Sequence, residues 1–164
     1  MKKWLFVVGL SSLALLGGCV ASSESSTPQS HVFNPSQVEV GDRILGLEVA
    51  AVDVSPYQER YTGTAKFNGE VTVSGKFVAN DSHFEGDTGV PCFYVDETSA
   101  TQLPRFVGDE RMSWFCFDNP EVAKTAFGGN NPVQENAKIV IDNYQIVYAP
   151  SDVVNQATFK RTVE

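Results

Sequence analysis

The sequence has little positive charge. Its 164 residues contain 12 lysines and arginines against 20 aspartates and glutamates, a formal net charge of −8. A phosphate backbone is bound through clustered lysine and arginine side chains, so this balance argues against a nucleic-acid partner. The chain also lacks a glycine-rich phosphate loop, a serine nucleophile elbow and a metal-binding helix motif. These absences favour a protein that binds rather than catalyses.

Histidine and cysteine are scarce, with two and three residues respectively. A catalytic dyad of His83 and Cys92 would need Cys92 to be an exposed free thiol. Two cysteines without a short CxxC spacing do not make a zinc site. We therefore predict no catalytic residue, no metal site and no cofactor. An envelope hydrolase or redox protein that uses His83 or a cysteine pair stays as an alternative.

A short apolar run occupies the N-terminus. Met1, Lys2 and Lys3 precede an apolar stretch from Trp4 to Leu16, and Leu16-Gly17-Gly18-Cys19 follows. This order is typical of a secretory signal and is too short for a transmembrane helix. The segment Leu16-Gly17-Gly18-Cys19 resembles the lipobox of bacterial lipoproteins. The resemblance implies removal of residues 1–18 and a lipid on Cys19. The alternative is an ordinary secreted protein with a chance cysteine.

The lipobox resemblance implies a membrane-bound location. Several acyl chains on Cys19 would anchor stably, because each buried methylene contributes about 0.8 kcal/mol. Since Val20, and not aspartate, follows Cys19, the resemblance favours the periplasmic face of the outer membrane in a Gram-negative bacterium. In a Gram-positive bacterium it implies the outer face of the cell membrane. Loss of Lys2 and Lys3 leaves 10 basic residues against 20 acidic ones, a net charge of −10.

The remaining chain divides into a tether and one domain. Residues 19–38 are polar and serine-rich, with no apolar period, which is typical of a flexible linker. The eighteen residues from Val20 to Gln37 would have a root-mean-square reach of roughly 20–25 Å. Residues 39–164 are long enough for a single domain with its own core. The whole chain is 42% hydrophobic and 20% charged, ordinary values for a globular protein.

The folded part has the alternation of β-strands. A first strand is predicted from Leu45 to Ala51, and the longest alternation runs from Ala65 to Ala79, with apolar or small residues at odd positions. This pattern predicts either an antiparallel strand pair or one long strand bent at Gly69 or Gly75. A change of apolar parity within Ala137–Tyr148 predicts a bulge near Asp142 and Asn143.

A short helix interrupts the later strands. Asn119 suits the N-cap, Pro120 the first helical position and Gly128 the C′ position. Three strands, one helix and two strands follow the order of the OB fold. The segments that fit this order are Val71–Val78, Cys92–Thr98, Arg111–Phe117, Pro120–Phe127, Lys138–Tyr148 and Gln156–Val163.

Two strand segments carry a family resemblance. Gly69–Gly75 and Ile139–Ile146 resemble the opening and closing strands of the bacterial envelope OB family described as tRNA-anticodon-domain-like. The resemblance covers about residues 63–163. We therefore expect an all-β fold with one short helix, a small OB-fold-like Greek-key barrel with an N-terminal strand extension. The alternative fold is a small β-sandwich.

Cys92 and Cys116 are a candidate disulfide, which export permits. If the strands that carry them are antiparallel neighbours, Cys92 lies opposite Cys116 and Tyr94 opposite Trp114. In the chain-entropy model, closing this loop of about 25 residues stabilises the fold by roughly 3.5 kcal/mol. The alternative is two buried free thiols.

Two sets of side chains are candidates for ligand contact. Within the acidic loop 80–89, which would join the first two barrel strands, the candidates are Asp81, His83, Glu85 and Asp87. Asp81, Glu85 and Gly86 fall at positions one, five and six of a calcium loop, but His83 at position three and Cys92 at position twelve argue against calcium binding. Aromatic residues in the barrel strands could form a stacking platform, with Tyr94, Trp114, Phe115 and Tyr144 as candidates; the alternative is core packing. Asp96-Glu97 and Asp109-Glu110 are interpreted as solubilising loop pairs.

These observations predict a membrane-anchored lipoprotein that acts as a non-catalytic binding module of the cell envelope. Its expected partners are the membrane, through the lipid on Cys19, and an envelope protein, peptide or glycan. An alternative function is that of an exclusion or immunity lipoprotein, which blocks a membrane partner.

Overall fold

The computed structural model describes residues 30–81, 89–129, 134–149 and 153–164. Its strands are β1 (Val32–Phe33), β2 (Arg43–Ile44), β3 (Leu47–Tyr57), β4 (Arg60–Asn68), β5 (Val71–Asp81), β6 (Val90–Val95), β7 (Arg105–Phe106), β8 (Trp114–Phe117), β9 (Gln134–Tyr148) and β10 (Asn155–Val163). Its helices are α1 (Glu97–Ala100) and α2 (Pro120–Ala126), with a 3₁₀ turn at Pro35–Gln37.

Five strands close into a barrel. The pairing order is β5, β6, β8, β10 and β9, and β9 pairs again with β5. All these pairs are antiparallel except β8 with β10, which is parallel. This is the strand order of an OB-fold-like barrel, with α2 in the connection from β8 to β9. The expected barrel is confirmed, and the sandwich alternative is wrong.

The long alternating segment forms one bent strand. β4 and β5 do not pair with each other, and both pair with β9: Gly63–Lys66 with its C-terminal part and Val71–Val78 with its N-terminal part. The bend is at Gly69, whose φ of +120° favours glycine. Its backbone N–H donates to the Asp142 carboxylate (3.0 Å). β3 completes the N-terminal extension by pairing with β4.

The predicted bulge in β9 lies where the sequence indicates it. Asn143 has a φ of +51°, and the register with β10 shifts between Gln145 and Asp142. The bulge turns Tyr144 and Ile146 into the core, on the same side as Ile139 and Ile141 before it. One strand can therefore bury its apolar side chains under both the barrel and the extension.

Phenylalanine dominates the core. All nine described phenylalanines are buried, and the rings of Phe77 and Phe127 stack at 3.9 Å between centroids. Phe127 directly follows α2, so this contact fixes the helix end against the barrel. Asn119 fixes the other end, because its side-chain amide donates to the Phe159 carbonyl and accepts from the Phe159 N–H, both at 2.9 Å.

Two strands are shorter than predicted. The strand expected to end at Thr98 stops at Val95, because Asp96 occupies the N-cap of α1 and Glu97 its first turn. The strand expected to begin at Arg111 begins at Trp114. The Arg111 N–H and guanidinium both bond to the Asp109 side chain, which holds this segment as a loop.

Candidate functional site

The outer side of β5, β6 and β8 carries an aromatic pair beside a disulfide. Phe77, Phe93 and Phe115 point into the barrel core, so the residues before and after them lie on the opposite side of the sheet. We call this surface the aromatic–disulfide face, and it consists of Lys76, Val78, Cys92, Tyr94, Trp114 and Cys116. In register, Lys76 lies beside Tyr94 and Val78 beside Cys92.

Cys92 and Cys116 are directly opposite each other on β6 and β8, as predicted. The two residues form a disulfide. Cys92 is fully buried and Cys116 is 9% exposed. A covalent link at this position holds the two strands in one register, and therefore also sets the pairing two residues further along.

Tyr94 and Trp114 are that next pair. Their rings stack with centroids 5.5 Å apart and planes 7° from parallel. Both side chains are half-buried, so each ring keeps part of its surface in solvent. Stacked aromatic rings on a rigid sheet offer a large contact area at low entropic cost to a ligand with an apolar face.

Asp81, the last residue of β5, contacts this face. The Tyr94 hydroxyl donates a hydrogen bond to the Asp81 carboxylate. Burial first, and then this bond, raise the pKa of Tyr94 above its ordinary value. The bond keeps the phenol protonated and orients the ring. Of the predicted loop candidates only Asp81 is described; His83, Glu85 and Asp87 lie outside the described residues, as does Cys19.

The predicted four-residue aromatic platform is wrong for two of its members. Phe115 is fully buried and Tyr144 is 3% exposed, so both belong to the core. Phe115 follows Trp114 on one strand, and successive side chains point to opposite faces. Tyr144 turns inward after the bulge, where its hydroxyl accepts from the buried Asn155 amide (3.1 Å). Of the four candidates, Tyr94 and Trp114 are the two whose rings remain partly exposed.

A polar network holds the segment that immediately precedes β8. The Arg111 guanidinium donates from Nε and Nη2 to the two Asp109 carboxylate oxygens, at 3.0 and 2.9 Å. It also donates to the Val153 carbonyl (3.0 Å), and its carbon lies 4.7 Å from the Tyr148 ring centroid. Arg105 donates to the Arg111 carbonyl and to the Ser113 hydroxyl, both at 2.7 Å.

This network corrects the interpretation of Asp109 as a solubilising residue, because its side chain is only 7% exposed. The sequence does not reveal the buried Asp109–Arg111 pair, because the residues that pack on Arg111, Tyr148 and Val153, come about 40 residues later. Its position has a consequence for the site. It fixes the segment from Arg105 to Ser113, which leads directly into Trp114.

A concave surface separate from the aromatic–disulfide face lies between α2 and β10. It is an open groove of about 670 Å³, lined by Val122, Thr125 and Ala126 on the helix and by Phe159, Lys160 and Arg161 on the strand. Val122 is 53% exposed there. The Arg161 guanidinium is paired with Glu70 at 2.9 Å.

Within the four described ranges, no helix is long and apolar enough to span a membrane. The same ranges contain no cluster of three or more histidine, cysteine, aspartate or glutamate side chains suited to a metal ion. Comparisons with protein families, with curated proteins and with solved structures find no match to this chain.

Proposed function

We propose that this protein is a lipid-anchored binding module of the bacterial cell envelope, and that it holds its ligand on the aromatic–disulfide face. The observation that carries the proposal is the stacked pair of Tyr94 and Trp114 beside the Cys92–Cys116 link. Rigid, partly exposed rings cost little entropy when they bind, because they are ordered beforehand.

The chemistry of the face favours a ligand that combines an apolar surface with polar groups. Lys76 stands next to Tyr94 in register and is exposed, so it supplies a cation at the edge of the rings. Asp81, at the end of β5, brings a carboxylate beside the Tyr94 hydroxyl. An envelope glycan, a peptide or a protein loop offers this combination. The acidic charge of the chain disfavours an oligonucleotide.

The ligand face is tested by capture from detergent-solubilised envelope, with the full-length protein as bait. We expect Trp114→Leu and Lys76→Glu each to lower the recovery of the bound component by about tenfold, the effect of losing roughly 1.4 kcal/mol. Lys66→Glu is the matched control, because Lys66 is exposed on β4 and outside the face. Equal recovery by all four proteins would refute this location of the site.

Titration with soluble peptidoglycan fragments tests the glycan form of the ligand directly. Trp114 and Trp4 are the chain's two tryptophans. A saturable change in tryptophan fluorescence that Lys76→Glu weakens and Lys66→Glu leaves unchanged would support binding of the glycan at the face. Capture of an integral membrane protein in equal amounts by the wild type, Trp114→Leu and Lys76→Glu would instead favour the exclusion or immunity alternative.

The anchor is tested separately by growing cells with a labelled fatty acid. We expect label on the wild-type chain and none on Cys19→Ala, which should also leave the membrane fraction. The expectation follows from the motif Leu16-Gly17-Gly18-Cys19. Label that survives Cys19→Ala would refute the anchor and leave the ligand face untouched.

A further inference from the structure

Exposed apolar side chains are concentrated at one end of the molecule. Among the described residues, six large hydrophobic side chains are exposed. Four of them belong to neighbouring segments, and we call this surface the apolar end: Val32, Tyr57, Val107 and Met112. Exposed apolar side chains that come together from separate segments mark an interaction surface more reliably than single ones do.

Three of these residues surround Arg105. Val32 is its partner in the β1–β7 pairing, and Val107 lies two positions after it, just beyond the end of β7. The Val107 N–H donates to the Phe33 carbonyl (2.8 Å), which keeps the two short strands together. Met112 lines a small enclosed cavity together with Arg105, and it is 68% exposed.

Tyr57 joins this group through the tip of the β3–β4 hairpin. It pairs with Arg60, the first residue of β4. The Arg60 guanidinium donates to the Tyr148 hydroxyl (3.0 Å), and its side chain approaches Gly108, next to Val107. The hairpin tip, the end of β9 and the β7 segment therefore meet at one end.

The described chain also begins at this end, since Ser30 lies two residues before Val32. Ten residues, 20–29, separate Ser30 from Cys19 in the sequence. Even a fully extended chain of that length spans at most about 40 Å. A lipid on Cys19 would therefore keep Ser30, and with it the apolar end, within about 40 Å of the membrane.

The charges at this end suit a lipid surface better than the net charge of the chain does. Arg60, Arg105 and Arg111 stand against Glu59, Asp109 and Glu110, so the end is nearly neutral, while the chain without its signal carries −10. An anionic headgroup layer repels this end less than the rest. Arginine and tyrosine beside exposed apolar side chains are typical of protein surfaces at the membrane interface.

We propose that the apolar end rests on the membrane surface, with Val107 and Met112 at the level of the lipid headgroups. This inference rests on the proposed lipid anchor at Cys19. It orients the domain, because β6 and β8 then extend from a fixed, membrane-proximal base and the aromatic–disulfide face is held at a defined height.

Methionine supplies a specific probe of this contact. The chain contains two methionines, Met1 and Met112. Removal of the signal takes away Met1 and leaves Met112. When cells are grown on a photoreactive diazirine analogue of methionine, the mature chain therefore carries the reactive group at Met112. Irradiation of intact cells, followed by mass spectrometry of the tryptic peptide that begins at Met112, would identify what lies against it.

The matched control is the double variant Met112→Leu, Val122→Met. It moves the probe to an exposed position on α2 within the same tryptic peptide. We expect phospholipid adducts about tenfold more abundant at Met112 than at position 122, because lipid reaches only groups within ~5–10 Å of the headgroup–acyl boundary.

Equal adducts at the two positions, or protein cross-links in place of lipid at Met112, would overturn the orientation. Fatty-acid labelling of the same samples separates the two proposals. Fatty-acid label on Cys19 without lipid adducts at Met112 would refute the proposed orientation and leave the proposed anchor standing. An unlabelled chain would overturn the anchor, and the orientation with it.

Discussion

Asp109 shows how strongly the role of one side chain depends on its partners. Beside Glu110 in the sequence it resembles a solvated loop residue, but in the fold its carboxylate accepts two hydrogen bonds from the Arg111 guanidinium and one from the Arg111 backbone N–H. Both groups are largely withdrawn from water, with side-chain exposures of 7% and 29%. Such a pair contributes little relative to an apolar replacement of both partners, but losing one partner leaves a poorly solvated charge.

We therefore expect Asp109→Ala to lower the free energy of unfolding by about 3 kcal/mol, because Arg111 would keep its charge without its counter-ion. Urea denaturation measures the change. The control is Glu70→Ala, which breaks the exposed pair with Arg161. That variant should cost less than about 1 kcal/mol. Equal costs would contradict the importance of burial.

The buried hydroxyl of Tyr144 makes the stability of the core depend on pH in the alkaline range. Complete burial raises the pKa of its hydroxyl, with the Asp109 charge as the next cause. In the unfolded chain the same group ionises near pH 10. Because the folded pKa is the higher one, the unfolded state loses its proton first as pH rises. The contribution of Tyr144 to the free energy of unfolding is therefore fully present below about pH 10 and is lost as the pH rises above it.

We expect the free energy of unfolding of the wild-type protein to fall progressively above about pH 10, as urea titrations at each pH would show. Tyr144→Phe should flatten this decline, because it removes one of the buried ionising groups. Tyr57→Phe is the control, since Tyr57 is exposed on the hairpin. A decline of the same slope in Tyr144→Phe would refute this assignment.

At the scale of the element, the bent β4–β5 strand is the central feature. Its alternation extends through Gly69 without a change of parity, so Phe67, Val73 and Phe77 all face the core. Gly75 has a different role from Gly69. A Cβ atom there would collide with the Tyr94 carbonyl oxygen and meet the Phe93 ring, because β6 crosses closely at this point.

Gly75→Ala should therefore destabilise the protein by roughly 3 kcal/mol, since an added methyl group must push β5 and β6 apart. Gly128→Ala is a useful comparison. Gly128 follows α2 with a φ of +88° and has open space where a Cβ would lie, so only backbone strain of about 1 kcal/mol applies. Thermal unfolding compares the two. A smaller effect at Gly75 would contradict the close approach.

At the scale of the whole molecule, β9 joins the extension to the barrel. It pairs with β4, β5 and β10 along its length. Phe67 of the extension packs against Phe33 and Tyr144, which places its ring in the same core as the barrel side chains. The N-terminal strands should therefore not unfold independently of the barrel.

We expect one cooperative unfolding transition, with tryptophan fluorescence from β8 and circular dichroism giving the same midpoint. Phe67→Ala, although it changes β4, should shift both signals together and cost about 3–5 kcal/mol. Two separated transitions, with the fluorescence change unaffected by Phe67→Ala, would show that the extension is an independent unit.

Local patterns in the sequence determined a large part of this protein. Period-2 alternation predicted either a strand pair or one bent strand, and the structure has the bent strand. The parity change predicted the bulge near Asp142 and Asn143, and the flanking residues of α2 predicted its ends. The pairing of Cys92 with Cys116 and of Tyr94 with Trp114 followed from the numbering of two adjacent strands. These features depend on residues close in the sequence or on one strand register, so the sequence contains the information directly.

Only the tertiary structure decided the rest. That Phe115 and Tyr144 are core residues, that Asp109 is buried against Arg111, and that Tyr57, Val107 and Met112 share one end depends on contacts between distant segments. Apolar and charged side chains have the same local pattern whether a core, a ligand or a membrane covers them. Closure of the barrel chooses among these, because it determines which surfaces are removed from water.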